Sequence, residues 1–408
     1  MTNSEDINKI ALKKDLWDMV EYVAHIFKEA VDMWASDIHI EPLEEFLLTR
    51  YRIDGDFILI DKVHRENISA IITRLKVLAK VKIDENKKPQ DGKIVYHHES
   101  TKENIDVRFS TLPTKFWEKI VMRILRQDDS LTNLEALGLI DVNVAKVQEA
   151  LKSTYGIMLV AGPTGSGKST TLFGVLKHFN PLELNISTLE DPIEYNIDYV
   201  NQSQVRPDIW YTFASGLRTL LRQDPDIIMV GEIRDKETAT LAVEAALTGH
   251  LVLSTIHTNS AAATIQRLIN MDVEPFLLSS AMKMVISQRL GKRLCQNCKQ
   301  EHPLTDYEKR KITHYLSPIL EKEDLENLVF YQWAGCDVCH GSWYKGRLGI
   351  HEVLIVEDYL EPMILEKASA NEMAVAAIEQ GWMITIVQDA LLKASLWETT
   401  VEEALKLI

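Results

Sequence analysis

The sequence contains one stretch whose residue types and spacing are typical of a phosphate-binding loop. It reads AGPTGSGKST over residues 161–170 and directly follows the apolar segment 157–160. Glycines let such a backbone curl so that its N–H groups point inward, and the N-terminus of a following helix adds partial positive charge. In this pattern Lys168 reaches the β- and γ-phosphates, and the Ser169 hydroxyl binds Mg²⁺. The predicted nucleotide-binding residues are Gly162, Pro163, Thr164, Gly165, Ser166, Gly167, Lys168, Ser169 and Thr170.

Acidic residues follow two other apolar segments and are candidates for work on a bound phosphate. Glu232 comes shortly after segment 227–230, where a phosphate-loop NTPase carries an acid for Mg²⁺ or for the attacking water. Gly231 stands where aspartate is common, so we expect Glu232 to take much of that catalytic and Mg²⁺-binding role. Glu190 and Glu194 are candidates to polarise the water or to hold Mg²⁺ through water. The alternatives are an ordinary strand-end acid at Glu232 and a common acidic turn at the other two.

Two histidines flank the strand pattern at 251–255. At the carboxyl end of a parallel strand, His257 faces the crevice where ligands bind, so it is a candidate to sense or polarise the γ-phosphate. His250 precedes the strand and is the second candidate. From the spacing alone, a buried histidine with satisfied hydrogen bonds explains His257 equally well.

The four cysteines form two Cys-x-x-Cys pairs, Cys295 with Cys298 and Cys336 with Cys339. Two such pairs are a strong signature of tetrahedral zinc, and four protein ligands make a zinc site structural. The 37 residues between the pairs, 299–335, exceed the usual spacer. Four reduced thiols without a metal are the alternative.

Alternating strand and helix patterns position these residues from residue 144 onward, which predicts an α/β fold with a largely parallel sheet. Strands are predicted at 157–161, 186–190, 226–230 and 251–255. Helices are predicted at 168–178, 212–222, 236–247 and 260–270. Residues 1–127 differ, because helical patterns over 1–35 and 68–79 combine with several strand patterns. Those strands are predicted at 35–42, 46–55, 94–96 and 105–110.

These patterns divide the chain into five parts. They are an N-terminal α+β domain at 1–127, a linker at 128–141, a phosphate-loop NTPase core at 142–289, a tetracysteine element at 290–350 and a helical subdomain at 351–408.

The composition argues against several classes of function. The 408 residues are 46% hydrophobic and 26% charged, which is ordinary for a globular chain. The net charge of −15 argues against a nucleic-acid-binding surface. No apolar run approaches the roughly 18 residues that a membrane span needs, and the N-terminus has no signal-peptide pattern. We therefore expect a cytoplasmic protein that reaches any membrane through a partner.

Taken together, the motifs resemble those of the secretion-superfamily ATPases, in particular the type IV pilus assembly and type II secretion ATPases. The phosphate loop is followed by segments that are similar to the family's aspartate box, Walker B region and histidine box. These segments are 189–195, 221–235 and 248–259. The resemblance extends through 35–55, 89–92 and 110–114, and so covers nearly the whole chain.

This resemblance implies a homo-hexamer with a RecA-like core, which hydrolyses ATP with Mg²⁺ and moves one domain against another. It also implies that arginines of a PAS-like N-terminal domain close onto the nucleotide. Arg108 and Arg123 stand at the matching positions, with Arg50 and Arg52 as weaker candidates. Such arginines neutralise charge on the transferred phosphoryl group, whereas simple pairing with surface acids is the alternative.

The resemblance further implies an assembly or export motor, because those family members carry the tetracysteine zinc element. We predict a motor ATPase for type IV pilus (pilin) assembly, peripheral to the inner membrane through a platform protein. A type II secretion or competence pseudopilus ATPase is the first alternative. A low-turnover nucleotide-dependent DNA-transfer or docking protein is a remote one.

The sequence departs from the family pattern in two ways. Longer members have an additional N-terminal domain that contacts partners or a cyclic dinucleotide, whereas this sequence begins almost directly at the arginine-bearing domain. The short competence-pilus ATPases therefore match its length better. Tryptophan also stands where the family has glycine, at Trp34, Trp117, Trp210, Trp343 and Trp397. We hypothesise that the source reads UGA codons as glycine there, and we expect strained backbone wherever tryptophan is real.

Overall fold

The structure is a computed structural model that describes residues 18–125, 133–194, 196–339, 341 and 343–408. The chain divides into two compact units, 1–128 and 129–408. The start of the predicted first helix, residues 1–17, lies outside the described residues. So do residues 126–132, which include the first five residues of the predicted linker.

The first unit is an antiparallel six-stranded sheet with two helices, which confirms the predicted α+β class. The helices are α1 (Met19–Asp32) and α2 (Ile68–Leu78). The strands are β1 (Asp37–Pro42), β2 (Phe46–Ile53), β3 (Asp56–His64), β4 (Gln90–His98), β5 (Glu103–Pro113) and β6 (Glu118–Leu125). Their order in the sheet is β3-β2-β1-β6-β5-β4. Helix α1 begins at Met19 because the Asp18 carboxylate accepts hydrogen bonds from the Val20 and Glu21 N–H groups.

The second unit is built on a mixed seven-stranded sheet. Its central strands are β7 (Gly156–Ala161), β8 (Ile186–Glu190), β10 (Ile227–Val230) and β11 (Leu251–Ile256). Every residue of these four strands is buried, as expected for parallel strands covered on both faces. The sheet is completed by β9 (Asn201–Gln204), β12 (Met282–Leu294) and β15 (Tyr344–Ile355), and its strand order is β15-β12-β7-β11-β10-β8-β9. Two short strands, β13 (Lys299–Glu301) and β14 (Tyr331–Trp333), pair in a separate two-stranded sheet.

Helices cover this sheet and continue to the C-terminus. They are α3 (Asp141–Ala150), α4 (Lys168–Leu176), α5 (Phe213–Leu220), α6 (Lys236–Leu247), α7 (Ala261–Asn270), α8 (Pro275–Ala281), α9 (Asp306–Leu316), α10 (Lys322–Glu326), α11 (Glu361–Leu365), α12 (Ala370–Glu379), α13 (Ile386–Ser395) and α14 (Val401–Leu405). The predicted strands and helices of the second unit all form, with ends within two residues of those expected. Among the described residues, no helix combines the length and the apolar composition that crossing a membrane requires.

Two long strands of the sheet, β12 and β15, were not predicted. They pair with each other in antiparallel fashion, and β12 also pairs in parallel with β7. The predicted domain boundaries at 290 and 350 fall inside these two strands. The chain leaves the sheet at the end of β12 and returns to it at the start of β15, so the tetracysteine segment connects two paired strands of the same sheet.

A buried ion pair joins the C-terminal helices to this sheet. On α13 the Lys393 Nζ lies 2.5 Å from Asp389 Oδ2, and both side chains are fully buried. Lys393 also donates to the Gly349 carbonyl at 2.8 Å, and Asp389 accepts from the His351 N–H at 2.8 Å. Burial raises the pKa of Asp389 and lowers the pKa of Lys393, while their mutual attraction opposes both shifts.

We expect Lys393→Met to destabilise the chain by about 3–5 kcal/mol, because it leaves Asp389 buried without its cation. Urea unfolding followed by circular dichroism measures this change. Lys322→Met is the matched control, since Lys322 pairs with Glu326 at the surface with the same four-residue spacing and should change stability by no more than about 0.5 kcal/mol. Equal effects of the two substitutions would show that the buried pair contributes nothing specific.

Candidate nucleotide-binding and hydrolysis site

The predicted phosphate loop connects the end of β7 to the start of α4. Gly167 takes the left-handed conformation, with φ of 84°, at the N-cap of α4. A Cβ at Gly162 would lie 2.5 Å from the Ser166 hydroxyl and 2.6 Å from the Gln288 carbonyl oxygen. Glycine is therefore required at both positions, one for its backbone conformation and the other for its lack of a side chain.

Lys168 is held on the inside of this loop. Its side chain is buried, and Nζ donates hydrogen bonds to the carbonyl oxygens of Gly162 at 2.9 Å and Pro163 at 3.0 Å. Burial lowers the pKa of Lys168, whereas the nearby Glu232 carboxylate opposes that shift. The ammonium group thus lies in the curl of the loop, where phosphate oxygens would take over its hydrogen bonds.

Glu232 lies just beyond the end of β10, between a cation and a histidine. Its carboxylate forms an ion pair with the Arg234 guanidinium, and Oε2 lies 3.6 Å from His257 Nε2. Arg234 also lies 3.9 Å from Asp191, beyond the end of β8. Because β7, β8, β10 and β11 are parallel, their carboxyl ends bring these groups to the edge that carries the loop.

The surroundings of His257 favour the neutral form of its imidazole. Partial burial lowers its pKa most, the Lys168 ammonium lowers it further, and the Glu232 carboxylate acts in the opposite direction. A neutral ring carries one N–H donor and one acceptor nitrogen. His257 can therefore exchange hydrogen bonds with a phosphate or a water at this edge without adding charge.

The two acids of the predicted aspartate box have different surroundings. Glu190 ends β8 and is buried, and its Oε1 accepts hydrogen bonds from the Thr188 hydroxyl at 2.6 Å and the Gln202 amide at 2.9 Å. Glu194 is half-buried and lies four residues beyond that strand. Tyr195, the last residue of the box, lies outside the described residues.

The structure does not bring His250 to the same edge. His250 lies at the opposite end of β11 from His257, and its carbonyl accepts from the Gly156 N–H at the start of β7. Its Nδ1 lies 2.9 Å from the Ala245 carbonyl oxygen. Since β11 rises about 3.3 Å per residue over six residues, the length of the strand separates His250 from the phosphate loop.

Sequence reasoning missed Gln288, which holds the phosphate loop from the neighbouring strand β12. The buried side-chain amide donates from Nε2 to the Ser166 carbonyl at 2.8 Å, and its Oε1 accepts from the Thr171 hydroxyl at 2.6 Å. The Gln288 amide therefore joins the loop to the first turn of α4. Arg234 was also missed as a site residue, although it lies in the predicted Walker B region.

We expect Gln288→Leu to weaken ATP binding about 10-fold, because the buried Ser166 carbonyl and Thr171 hydroxyl lose their partner. Titration with a fluorescent ATP analogue measures the Kd. Gln300→Leu, an exposed amide on β13, is the control and should leave the Kd unchanged. An unchanged Kd for Gln288→Leu as well would mean that the loop keeps its shape without this contact.

In the first unit, Arg108 and Arg123 lie directly opposite each other on β5 and β6. On the neighbouring strands, Arg123 is also opposite Asp37 of β1, and Arg108 is also opposite Lys93 of β4. Arg52 on β2 is in turn opposite Asp37, so a row of four cations and one carboxylate crosses five strands. Opposed residues project from the same face of a sheet. Arg123 is exposed, and its Nε lies 2.9 Å from Asp37 Oδ1.

Arg50 lies outside that row. Its Nη2 is 2.6 Å from Glu41 Oε2, and its guanidinium also stacks over the Phe57 ring.

The four cysteines meet in a cluster next to the end of β12. All four sulfur atoms lie within 4.8 Å of one another. The Sγ–Sγ distances are 3.8 Å for Cys295 and Cys336, 3.8 Å for Cys298 and Cys339, and 3.7 Å for Cys336 and Cys339. A tetrahedron of sulfurs at the usual zinc–sulfur distance has edges of about 3.8 Å. The cysteine geometry therefore fits a four-coordinate zinc, whereas a disulfide needs sulfurs about 2.05 Å apart.

Comparison with known proteins identifies the family. The model of the type II/IV secretion system protein family matches residues 13–406. The chain belongs to this family. The resemblance to secretion-superfamily ATPases is thereby confirmed, and so is the prediction of a phosphate-loop ATP hydrolase.

Among curated relatives, the type II secretion system protein E of Dickeya dadantii is 43% identical over 95% of this chain and 75% of its own length. The type IV pilus assembly ATPase PilB of Thermus thermophilus is also 43% identical, over 94% of this chain and 42% of its own length. The pilus retraction motor PilT, solved with bound ADP, is 26% identical and superposes with a TM-score of 0.61, covering 94% of this chain and 96% of its own.

The Legionella pneumophila ATPase DotB superposes with a TM-score of 0.69 at 21% identity, with 98% of both chains covered. At that identity the likeness concerns the fold alone, and it agrees with the predicted α/β class. The roles given to individual residues of this family member stay predictions.

Proposed function

We propose that this chain is a hexameric motor ATPase that couples ATP hydrolysis to pilin assembly at the inner membrane. The observation that carries the proposal is the convergence of Lys168, Glu232 and His257 at one edge of a parallel sheet. Relatives named as type IV pilus assembly ATPases in three organisms support the pilus assignment. An inner-membrane platform protein is the proposed partner, which places the chain at the cytoplasmic face of that membrane.

In this proposal the site binds ATP with Mg²⁺ through the chain's own residues. The phosphate loop and Lys168 hold the phosphates, and Ser169 and Glu232 hold Mg²⁺, which would neutralise charge on the transferred phosphoryl group. Glu194 and Glu232 are both retained as the base that orients the attacking water, with Glu190 as a further acid of the site. The buried hydrogen bonds of Glu190 support a role in holding β8 and β9 in place.

Arg108 and Arg123 are proposed to act on the nucleotide from the first unit. The row that they share with Arg52 and Lys93 supports this role, because its cations outnumber the neighbouring carboxylates of Asp37 and Asp106. A surplus of positive charge on one sheet face suits a triphosphate, and it makes hydrolysis depend on the approach of that face.

The cysteine cluster is proposed to hold one structural zinc ion. Three of the four cysteines are buried, and the protein supplies all four ligands, so no coordination position is open for a substrate. The ion would fix the two Cys-x-x-Cys turns to each other and so stabilise the segment that connects β12 to β15.

A type II secretion or competence pseudopilus ATPase is the second candidate function. The equal identity to the Dickeya dadantii protein and the Thermus thermophilus protein favours neither system. The remote alternative, a low-turnover DNA-transfer or docking protein, keeps the same nucleotide site.

Gene deletion with complementation tests the proposal. Wild type should restore surface pili counted by electron microscopy, whereas Lys168→Ala should not. Restored protein export without pili would favour the secretion alternative. A purified hexamer that binds ATP without turnover would rule out the motor function.

A further inference from the structure

Five tryptophans lie in a backbone conformation that favours glycine. The φ angles are 59° at Trp34, 63° at Trp210, 73° at Trp343, 51° at Trp382 and 66° at Trp397. Left-handed backbone brings Cβ close to the following carbonyl oxygen, so only a few per cent of residues other than glycine adopt it. Among the residues that the structure describes, twelve other than glycine have positive φ, and five of them are tryptophan. The same part of the chain contains only seven tryptophans.

Two of these tryptophans terminate helices in the manner of a C-terminal glycine. At the end of α1 the Trp34 N–H donates to the Val31 carbonyl, and the Ala35 N–H donates to the Ala30 carbonyl. This pair of bonds is the Schellman motif, whose left-handed residue is usually glycine.

The end of α13 repeats the motif. The Trp397 N–H donates to the Ala394 carbonyl, and the Glu398 N–H donates to the Lys393 carbonyl.

The other three tryptophans occupy tight turns. Trp210 closes a short loop in which Arg206 and Tyr211 exchange backbone hydrogen bonds. Trp382 lies after α12, where the Met383 N–H reaches back to the Ala377 carbonyl. Trp343 precedes β15, and its carbonyl accepts from the Cys295 N–H.

At the three most exposed of these positions, little of the indole is buried to offset the left-handed backbone. Trp210 is 87% exposed, Trp382 is 77% exposed and Trp34 is 65% exposed. A tryptophan stabilises the folded protein mainly when its indole is buried. Burial therefore does not explain why tryptophan occupies these exposed turns.

We infer that the natural chain carries glycine at all five positions, and that their codons are UGA, read as glycine by the source cell and as tryptophan in this translation. One cause at the level of the codon explains why the same residue type recurs at turns that are unrelated in the fold. The inference is independent of the ATPase function. It also fits the low glycine content, 17 of 408 residues, about 4% against the usual 7% or so.

The φ angles extend the hypothesis, drawn from the family pattern, that UGA codons are read as glycine. They support four of the five positions named there and add Trp382. Trp117 does not have a positive φ, so the backbone argument does not reach it.

Peptide mass spectrometry of the protein isolated from its source cells tests the inference directly, together with the codons of its gene. We expect UGA at all five positions and peptides that contain glycine there. A tryptophan-containing peptide, or a UGG codon, overturns the inference at that position.

Thermal unfolding of the chain made with tryptophan tests the physical argument separately. Trp34→Gly and Trp210→Gly should each raise Tm by about 2–4 °C, because the strained conformation is relieved. Trp117→Gly is the matched control, and we expect no rise since no left-handed strain exists there. A fall in Tm for Trp34→Gly and Trp210→Gly would show that tryptophan suits these turns.

Discussion

Glu232→Gln is expected to lower kcat for ATP hydrolysis about 100–1,000-fold while changing ATP binding only slightly. The substitution keeps the size of the side chain but removes the negative charge that pairs with Arg234 and faces His257. In the proposed site, that charge is needed for Mg²⁺ and for the attacking water. Phosphate release by the purified hexamer measures kcat, and nucleotide titration measures binding.

Glu237→Gln is the matched control for that measurement. Glu237 lies five residues further along, at the start of α6, where it pairs with Arg218 at the surface. We expect near-normal turnover from this variant. If Glu232→Gln also turned over normally, Glu194 would carry the role of the base.

Cys298→Ser is expected to release the zinc ion and to lower the Tm of the second unit by about 10 °C. Cys298 is buried, and its sulfur completes the tetrahedral cluster. A serine at this position leaves only three thiolates, which are too few to hold the ion tightly. Atomic absorption should find one zinc per wild-type chain and much less in the variant. Prolonged treatment of wild type with a strong chelator should produce the same loss of Tm.

Val338→Ser provides the matched control for the zinc measurement. Val338 lies between Cys336 and Cys339 but is exposed and offers no ligand. Full zinc content and an unchanged Tm are expected. The zinc proposal fails if wild-type protein, purified under reducing conditions with zinc supplied, contains none.

Several features of the fold could be predicted because the signal for each is local. The central strands β7, β8, β10 and β11 are short apolar runs between helical patterns, and a strand buried on both faces needs only such a run. Strands β3 and β6 of the first unit were missed, since their mixture of charged and apolar residues resembles neither pattern clearly.

The strand β12 was missed for a different reason. It has buried polar residues, Ser287 and Gln288, within its apolar pattern, and the Gln288 amide is hydrogen-bonded to Ser166 of the phosphate loop and to Thr171 at the start of α4. Nothing in the sequence around Gln288 indicates that contact. The parallel pairing of β12 with β7, which places Ser287 opposite Ala161, creates it.

The two histidines show a related limit of sequence analysis, because residues that a motif assigns to one site can lie far apart in the fold. Their shared position at the ends of one apolar segment made both His250 and His257 candidates for the site. A six-residue extended strand holds its two ends far apart, so only His257 lies beside Glu232.

The class of this protein and its phosphate chemistry can be inferred from the sequence alone, because the loop, the strand before it and the helix after it are contiguous in the chain. The spacing within each Cys-x-x-Cys pair is likewise a local property. The distant residues that complete these sites are identified only from the three-dimensional fold. Strand order and register bring Gln288 to the loop, Arg234 to Glu232 and the two cysteine pairs to each other, and register depends on packing across the whole sheet.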